Sequence, residues 1–390
     1  MPIVDSMQLL NKNYDVVVIG LGAVGSATLY QLSKRGISVL GIDQFDPPHN
    51  LGSSHGETRI TRLAVGEGED YVALAIRSLQ IWKEIESKSG NQLYHQTGGV
   101  LMDSGVLPWD KHGTKSFLDQ TISLAKKFNI SHRVEDARQT VARFPHILLE
   151  STGRSYQESA TGYLLPEQCI ADQLDLAAKM GADLLKNIKV INLLPLGNKT
   201  AIQLNEGKIF AKKIVLAAGG WIKDFLPDNE ARKFKVCRQV LHWLAIDSFQ
   251  DVWKKSPVYM WGIGANPEDF IYGFPSLDGK SVKMASESFV ETSHPDYLNR
   301  EVTADEQQKF WDTKIAGRFM GLSGKFVKST VCFYTVTTDG RFVVRPLEGF
   351  SSVLVVSACS GHGFKHSPAL GENLAQQVCG EEVSIQFGPE

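Results

Sequence analysis

The patterned part of the chain opens with Val16-Val17-Val18-Ile19, a continuous β-branched run of the kind that forms a parallel strand buried on both faces. Glycine stops it. Gly20-Leu21-Gly22-Ala23-Val24-Gly25 leads into Ala23–Lys34, where Ala27, Leu29, Tyr30 and Leu32 recur at helical spacing, and a second apolar run, Ile37–Ile42, ends at Asp43. Beyond it the pattern predicts helices at Glu67–Lys88 and Lys115–Phe128 around a strand at Gly98–Met102, and Arg143-Phe144-Pro145 closes this insert. A helix at Cys169–Met180 leads, by strands near Ile188–Leu193 and Thr200–Leu204, to a strand at Lys213–Trp221 that ends in small residues. Strands dominate Lys235–Phe289, with turns at Asn266-Pro267 and Asp278-Gly279, which predicts an antiparallel sheet. The chain finishes with a strand at Val353–Val356, a glycine-rich turn and a helix at Pro368–Val378.

Composition narrows the picture. A chain of 390 residues exceeds what one core organises, so two packed domains are expected. The hydrophobic share of 43% and charged share of 22% are those of a folded globular protein. A net charge of −2 with both signs interspersed offers nucleic acid no basic face and membranes no polybasic anchor, leaving small molecules as the expected partners. No apolar run nears the roughly 20 residues of a membrane span, and Met1–Asn13 does not read as a secretory leader, so a cytoplasmic location is expected. Cys169, Cys237, Cys332, Cys359 and Cys379 are odd in number and widely spaced, unlike a disulfide framework or a metal site. No metal is expected, because His55, His362 and His366 lack a ligand constellation.

The first turn carries candidate chemistry. Gly20 permits the tight turn, Gly22 lets backbone N–H groups approach a pyrophosphate, Gly25 allows close packing of helix on strand, and Asp43 is placed to accept hydrogen bonds from a ribose. This marks a dinucleotide site and leaves NAD and FAD both open. The segments after Asp43 do not settle into regular βαβ alternation, which favours FAD in an interrupted nucleotide domain. The expected class is α/β (α+β overall): a Rossmann-like FAD-binding domain from residues 1–83, 147–224 and 326–390, and an antiparallel-sheet substrate domain from 84–146 and 225–325, both discontinuous.

Five segments in order carry a further resemblance: the glycine turn with Asp43; Ser54-His55-Gly56-Glu57-Thr58-Arg59-Ile60-Thr61-Arg62 followed by Gly66-Glu67-Gly68; Tyr272-Gly273-Phe274-Pro275; Cys332-Phe333-Tyr334-Thr335; and Ser360-Gly361-His362-Gly363-Phe364-Lys365. In these the chain resembles, over nearly its whole length, the monomeric sarcosine oxidase, N-methyltryptophan oxidase and pipecolate oxidase family of D-amino-acid oxidase-like flavoproteins. The resemblance implies FAD joined through Cys332 and held along Gly20, Gly22, Ala23, Val24, Gly25, Asp43, Gln44, Ser53, Arg59, Ala218, Gly219 and Trp221. At the far end it implies Gly361, His362, Gly363, Phe364 and Lys365, whose backbone N–H groups would face the flavin pyrimidine. Cations beside Cys332 would favour its thiolate. His55 and Arg59 would lie against the isoalloxazine, Arg62 and Lys365 would hold a substrate carboxylate, and Tyr272 and Tyr334 would line the pocket. Lys283, eleven residues after Tyr272, corresponds to the lysine near flavin N5 where oxygen is reduced.

Read from the residues alone, Arg62 and Arg59 also fit a basic cluster paired with Glu57, Glu67 and Glu69. Glu287 stands where sarcosine oxidases often have histidine, and a carboxylate there would favour an amine with extra positive charge or a hydrogen-bond donor. Asp339-Gly340-Arg341-Phe342 also departs from the family's Asp-Glu-x-Phe. The implied reaction is oxidation of the C–N bond of a small secondary amino acid to an imine, with O2 reduced to H2O2 by a monomer. A dehydrogenase that passes electrons to a carrier, a nicotinamide enzyme and a non-catalytic flavin-binding protein are the alternatives.

Overall fold

The computed structural model describes residues 10–105, 109–111, 113–292 and 294–385. The first strand is Asn13–Ile19, and its apolar run serves two cores at once. Val16 and Val18 pack with Leu29 and Tyr30 on one face, while Val17 and Ile19 pack with Ile214 and Leu216 on the other. That two-sided burial is why the run lacks polar alternation. Parallel pairing places strands in the order Phe350–Ser357, Lys208–Leu216, Asn13–Ile19, Val39–Ile42 and Asp183–Leu185. Helix Ala23–Ser33 lies against the sheet, between helices Pro166–Lys179 and Ser367–Cys379. Segments distant in sequence thus rebuild one nucleotide-type sheet.

Among the described residues nine strands form the second sheet. One end of it is the long antiparallel pair Leu322–Val336 and Lys235–Ile246, continued by Ser281–Ala285, Phe270–Gly273 and Val258–Gly262. Side chains alternate along these strands, so register decides what faces the first sheet. Leu241, Trp243, Ala285 and Cys332 pack together with Tyr272 on one side, whereas Leu244, Val282 and Met284 enter a separate core on the other. Lys283 opposes Trp243 and Cys332 opposes Gln239 across the ladders.

Three details differ from the sequence reading. The sheet is not wholly antiparallel, because Gly99–Asp103 pairs parallel with Val258–Gly262. Arg154–Glu158 and most of Leu322–Val336, within segments expected in the nucleotide domain, pair into the second sheet. The run expected as a strand to Trp221 ends at Leu216, and Gly219–Phe225 turns into a 3-10 helix. Among the described residues no helix is long and apolar enough to cross a membrane.

Candidate active site

A single cleft, with about 1860 Å³ of empty space including its open mouth, runs between the two sheets. At one end stands the glycine turn. Gly20 has φ +88°, and a Cβ there would press on the Ala217 carbonyl; a Cβ on Gly25 would be driven into the Gly20 carbonyl oxygen. A Cβ on Gly22 would meet nothing within 4 Å, so the backbone at the start of helix Ala23–Ser33 is left bare toward the cleft. That bare, N–H-rich helix start is a cradle for a diphosphate. Asp43 accepts from the Leu21 N–H (2.7 Å) and the Phe45 N–H (2.9 Å), which fixes its carboxylate beside the turn. Gln44, Ser53, Ala218, Gly219 and Trp221 line the same stretch, with Phe45 edge-on to Trp221.

The other end is charged and aromatic. Arg62 is buried, donates to the Ala64 carbonyl (2.5 Å) and pairs with Glu67 at 3.2 Å. Its aim comes from the second sheet: the buried Glu158 carboxylate accepts from the Leu63 and Ala64 N–H groups (2.8 and 3.0 Å) and from the Tyr156 hydroxyl (2.8 Å). Lys365 donates to the His362 carbonyl at 2.8 Å, and burial pulls its pKa down to about 7. Tyr272 and Tyr334 both line this end, and burial raises both pKa values. Gly361, with φ +82°, brings the 358–365 turn against the Tyr334 ring.

Not every expected residue reaches the cleft wall. Gly25, His55 and Lys283 sit behind it, while the other expected residues line it. Lys283 Nζ donates to the Gly56 and Thr58 carbonyls (2.5 and 2.9 Å) and to Thr58 Oγ1 (3.0 Å), and burial pulls its pKa well down. His55 is neutral at physiological pH, its pKa lowered to about 3 first by burial and then by the Arg59 charge. Arg59 itself donates to the Thr58 and Ser53 carbonyls. His362 Nε2 donates to the Gly340 carbonyl at 2.9 Å, with burial lowering the ring's pKa to about 4.

Electrostatics revise three expectations. Cys332 is a free thiol on the cleft wall, and burial raises its pKa more than the neighbouring Arg59, Lys283 and Arg300 lower it, so the thiol form prevails. Of the acids proposed to pair with the arginines, Glu67 holds Arg62, whereas Glu57 pairs with Lys328 and Glu69 with Lys127. Glu287 does line the cleft, yet its charge is balanced by Lys111 at 2.5 Å. The sequence reading missed Lys111 because no motif surrounds it. It also missed His49, Val190 and Cys359 on the wall, which belong to ordinary loops and strand ends.

FAD fits this cleft. The bare cradle at Gly22 faces it, and Thr335 Oγ1, on its wall, is buried without a hydrogen-bond partner among the described residues. A nucleotide-type parallel sheet opening on a long cleft roofed by a second sheet, with a charged and aromatic far end, defines a dinucleotide-dependent oxidoreductase. Consistent with that class, the model of the family described as FAD dependent oxidoreductase matches residues 15–377. The chain belongs to this family. It is similar to the monomeric sarcosine oxidase of Bacillus sp. (strain NS-129), 31% identical over 94% of this chain and 93% of that protein. It is also similar to the N-methyl-L-tryptophan oxidase of Salmonella dublin, 29% identical over 96% and 97%. Among solved structures, NikD, described as an unusual amino acid oxidase essential for nikkomycin biosynthesis, superposes with a TM-score of 0.80 at 21% identity, covering 97% of this chain and 96% of that one. L-proline dehydrogenase from P. horikoshii does so with 0.77 at 20%, covering 96% of each. At that identity the superpositions speak for the fold.

Proposed function

We propose that the protein is a monomeric FAD-dependent amine oxidase that converts a small secondary amino acid to its imine, using O2 as acceptor. One observation carries the reading: the cradle at Gly22 and the buried cations Arg62 and Lys365 open onto one continuous cleft. The sarcosine and N-methyltryptophan oxidases to which the chain is similar give the substrate class. Gly20, Gly22, Ala23, Val24, Asp43, Gln44 and Ser53 would hold the adenosine and diphosphate end, with Ala218, Gly219 and Trp221 beside them. Cys332 and the 361–365 turn would hold the ring end. FAD bound there would supply two-electron chemistry, accepting a hydride from the substrate carbon and returning both electrons to O2 as H2O2.

The chain's own residues would do the positioning. Arg62, steadied by Glu67, presents its guanidinium to a carboxylate, which can be gripped bidentately. A bound carboxylate also favours the cationic form of Lys365 and so raises a pKa that burial has depressed to about 7. The same cations disfavour an ammonium on the substrate, keeping the amine neutral with its lone pair available as the C–H bond breaks. Tyr272 and Tyr334 wall the reacting carbon, and the imine released is hydrolysed by water. Lys283, held by the Gly56 and Thr58 carbonyls behind the wall, would stabilise negative charge on reduced oxygen. Burial keeps the Cys332 thiol protonated, and the neighbouring Arg59, Lys283 and Arg300 charges would favour the thiolate that attachment to the ring requires.

Acid denaturation of the purified yellow protein tests cofactor and tether together. We expect the colour to stay with the wild-type polypeptide and to leave the Cys332→Ser variant, with H2O2 formed from sarcosine or another N-methyl amino acid. Protein that stays colourless after reconstitution with FAD would overturn the reading, and colour lost from the wild type would remove the tether alone. Reduced protein that fails to reoxidise in air would identify a dehydrogenase.

A further inference from the structure

A three-residue turn beside Lys283 is held against its own backbone preference. The Thr58 N–H donates to the Gly56 carbonyl at 2.8 Å across Glu57, whose φ is +72°. A turn closed by that bond around a left-handed centre is rare and strained, and glutamate lacks the short side chain with which asparagine or aspartate eases it. Such strain persists only where the surroundings over-determine it, and it gathers at functional sites. Glu167 supplies the hold. Its carboxylate accepts from the Gly56 and Glu57 N–H groups at 2.6 and 3.2 Å. The placement follows from register: Arg59–Thr61 pairs antiparallel with Gly162–Leu164, Arg59 opposite Leu164, and carrying that register three residues further sets Gly56 opposite Glu167. There the chain has already entered helix Pro166–Lys179, whose first turn favours a carboxylate. On its other side the Glu57 carboxylate accepts from Trp243 Nε1 at 3.0 Å and pairs with Lys328.

What the turn presents is a pair of carbonyls. Lys283 Nζ donates to those of Gly56 and Thr58 at 2.5 and 2.9 Å and to Thr58 Oγ1 at 3.0 Å, which engages the three N–H groups of an ammonium. The Thr58 carbonyl also accepts from Arg59 Nη1 at 2.9 Å, so one oxygen receives two cations. Burial first, and then the Arg59 charge, works against a charged Lys283, while the Glu167 and Glu57 carboxylates favour it. The carbonyl dipoles and these carboxylates thus do for a buried lysine what water does for an exposed one.

We propose that Glu167 is a positioning residue for oxygen reduction: by holding the strained Gly56–Thr58 turn it fixes the two carbonyls that keep the Lys283 ammonium beside Arg59. This rests on the role given to Lys283 in the proposed oxidase. A cation stabilises negative charge developing on oxygen best when it is already in place, because no reorganisation is then needed at the moment of reaction.

The test follows reoxidation by O2 of holoenzyme reduced with stoichiometric dithionite, so that no amino-acid substrate is involved, in wild type, Lys283→Met, Glu167→Leu and Glu167→Gln. Glu167→Leu removes the acceptor and should reoxidise at least about tenfold more slowly than wild type. Glu167→Gln keeps an oxygen for the two N–H groups and should stay close to the wild-type rate. In the apoproteins, reductive methylation of Lys283 read by mass spectrometry should be several-fold faster in Glu167→Leu than in wild type, because a loosened turn frees the amine. Wild-type reoxidation or unchanged methylation in folded Glu167→Leu would overturn the inference. Should that variant not fold, Glu167→Gln decides: a rate near wild type supports the hold, and one as low as that of Lys283→Met overturns it. Lys283→Met separates these failures from the larger one. If it reoxidises as fast as wild type, the oxygen-side role of Lys283 falls and this inference with it; if it is slow while Glu167→Leu is not, this inference alone is lost.

Discussion

At the scale of single residues, the three glycines of the first turn do different work. Gly20 occupies the left-handed region at φ +88°, where side chains are strained. Gly25 has no room for a Cβ because the Gly20 carbonyl occupies that space, whereas Gly22 has room and an ordinary φ of −70°. The substitution Gly22→Ala should therefore fold with near wild-type stability but bind FAD at least about tenfold more weakly, as its methyl group intrudes where the diphosphate meets the backbone. Gly25→Ala should lose roughly 1–3 kcal/mol or more of stability through overpacking. Flavin fluorescence titration and urea unfolding of the two apoproteins check this; equal FAD affinity for Gly22→Ala and wild type would contradict the assignment. The spacing of these glycines was readable in the sequence because the turn itself sets it, Gly20 by its positive φ and Gly25 by the nearby Gly20 carbonyl. Lys111 was not readable, since its partner lies 176 residues away and only the tertiary fold brings the two together.

At the scale of elements, the strand Arg154–Glu158 ties the second sheet to the charged end of the cleft. Its last residue, Glu158, is 2% exposed and satisfies two backbone N–H groups just beyond Arg62. Glu158→Ala would leave those groups buried and unmet, at about 1–3 kcal/mol each. We expect a stability loss of roughly 2–5 kcal/mol and a higher KM for carboxylate substrates with a smaller change in kcat, measured by urea unfolding and steady-state peroxide formation. An unaltered KM would show that Glu158 does not aim Arg62. The helices were legible from periodicity: Lys115–Phe128 was expected and Phe117–Lys127 is found, and Pro368–Val378 corresponds to Ser367–Cys379. Sheet membership was not, because a short strand such as Arg154–Glu158 has the same alternation whichever sheet it joins.

At the scale of the whole molecule, folding buries histidines that stay neutral, some beside the cleft and others in the core on the far side of the second sheet. Burial lowers the pKa of His55 to about 3 and of His146, His242 and His362 to about 4. Their folded pKa values lie below the unfolded value near 6.5, so between these limits the unfolded chain binds protons that the native chain does not. Their effect on stability is absent above about pH 6.5 and grows as pH falls toward 4, on the order of 1.4 kcal/mol per pH unit for each histidine titrating in the unfolded state. Urea midpoints should thus fall steeply from pH 7 to pH 5. Midpoints flat across that range would mean the histidines are charged or accessible in the native protein.

What the chain determined by itself is local: the glycine turn and its terminal Asp43, the strand and helix periods, and the ordered motifs that mark a flavin-binding family. Each depends on neighbours a few residues apart, so the order of residues is enough to specify it. What tertiary structure decided is which charges meet. Glu67 rather than Glu57 holds Arg62, Lys111 neutralises Glu287, and Lys283 stands behind the cleft wall, because these outcomes depend on strand register and on burial removing the water that would otherwise keep each charge independent.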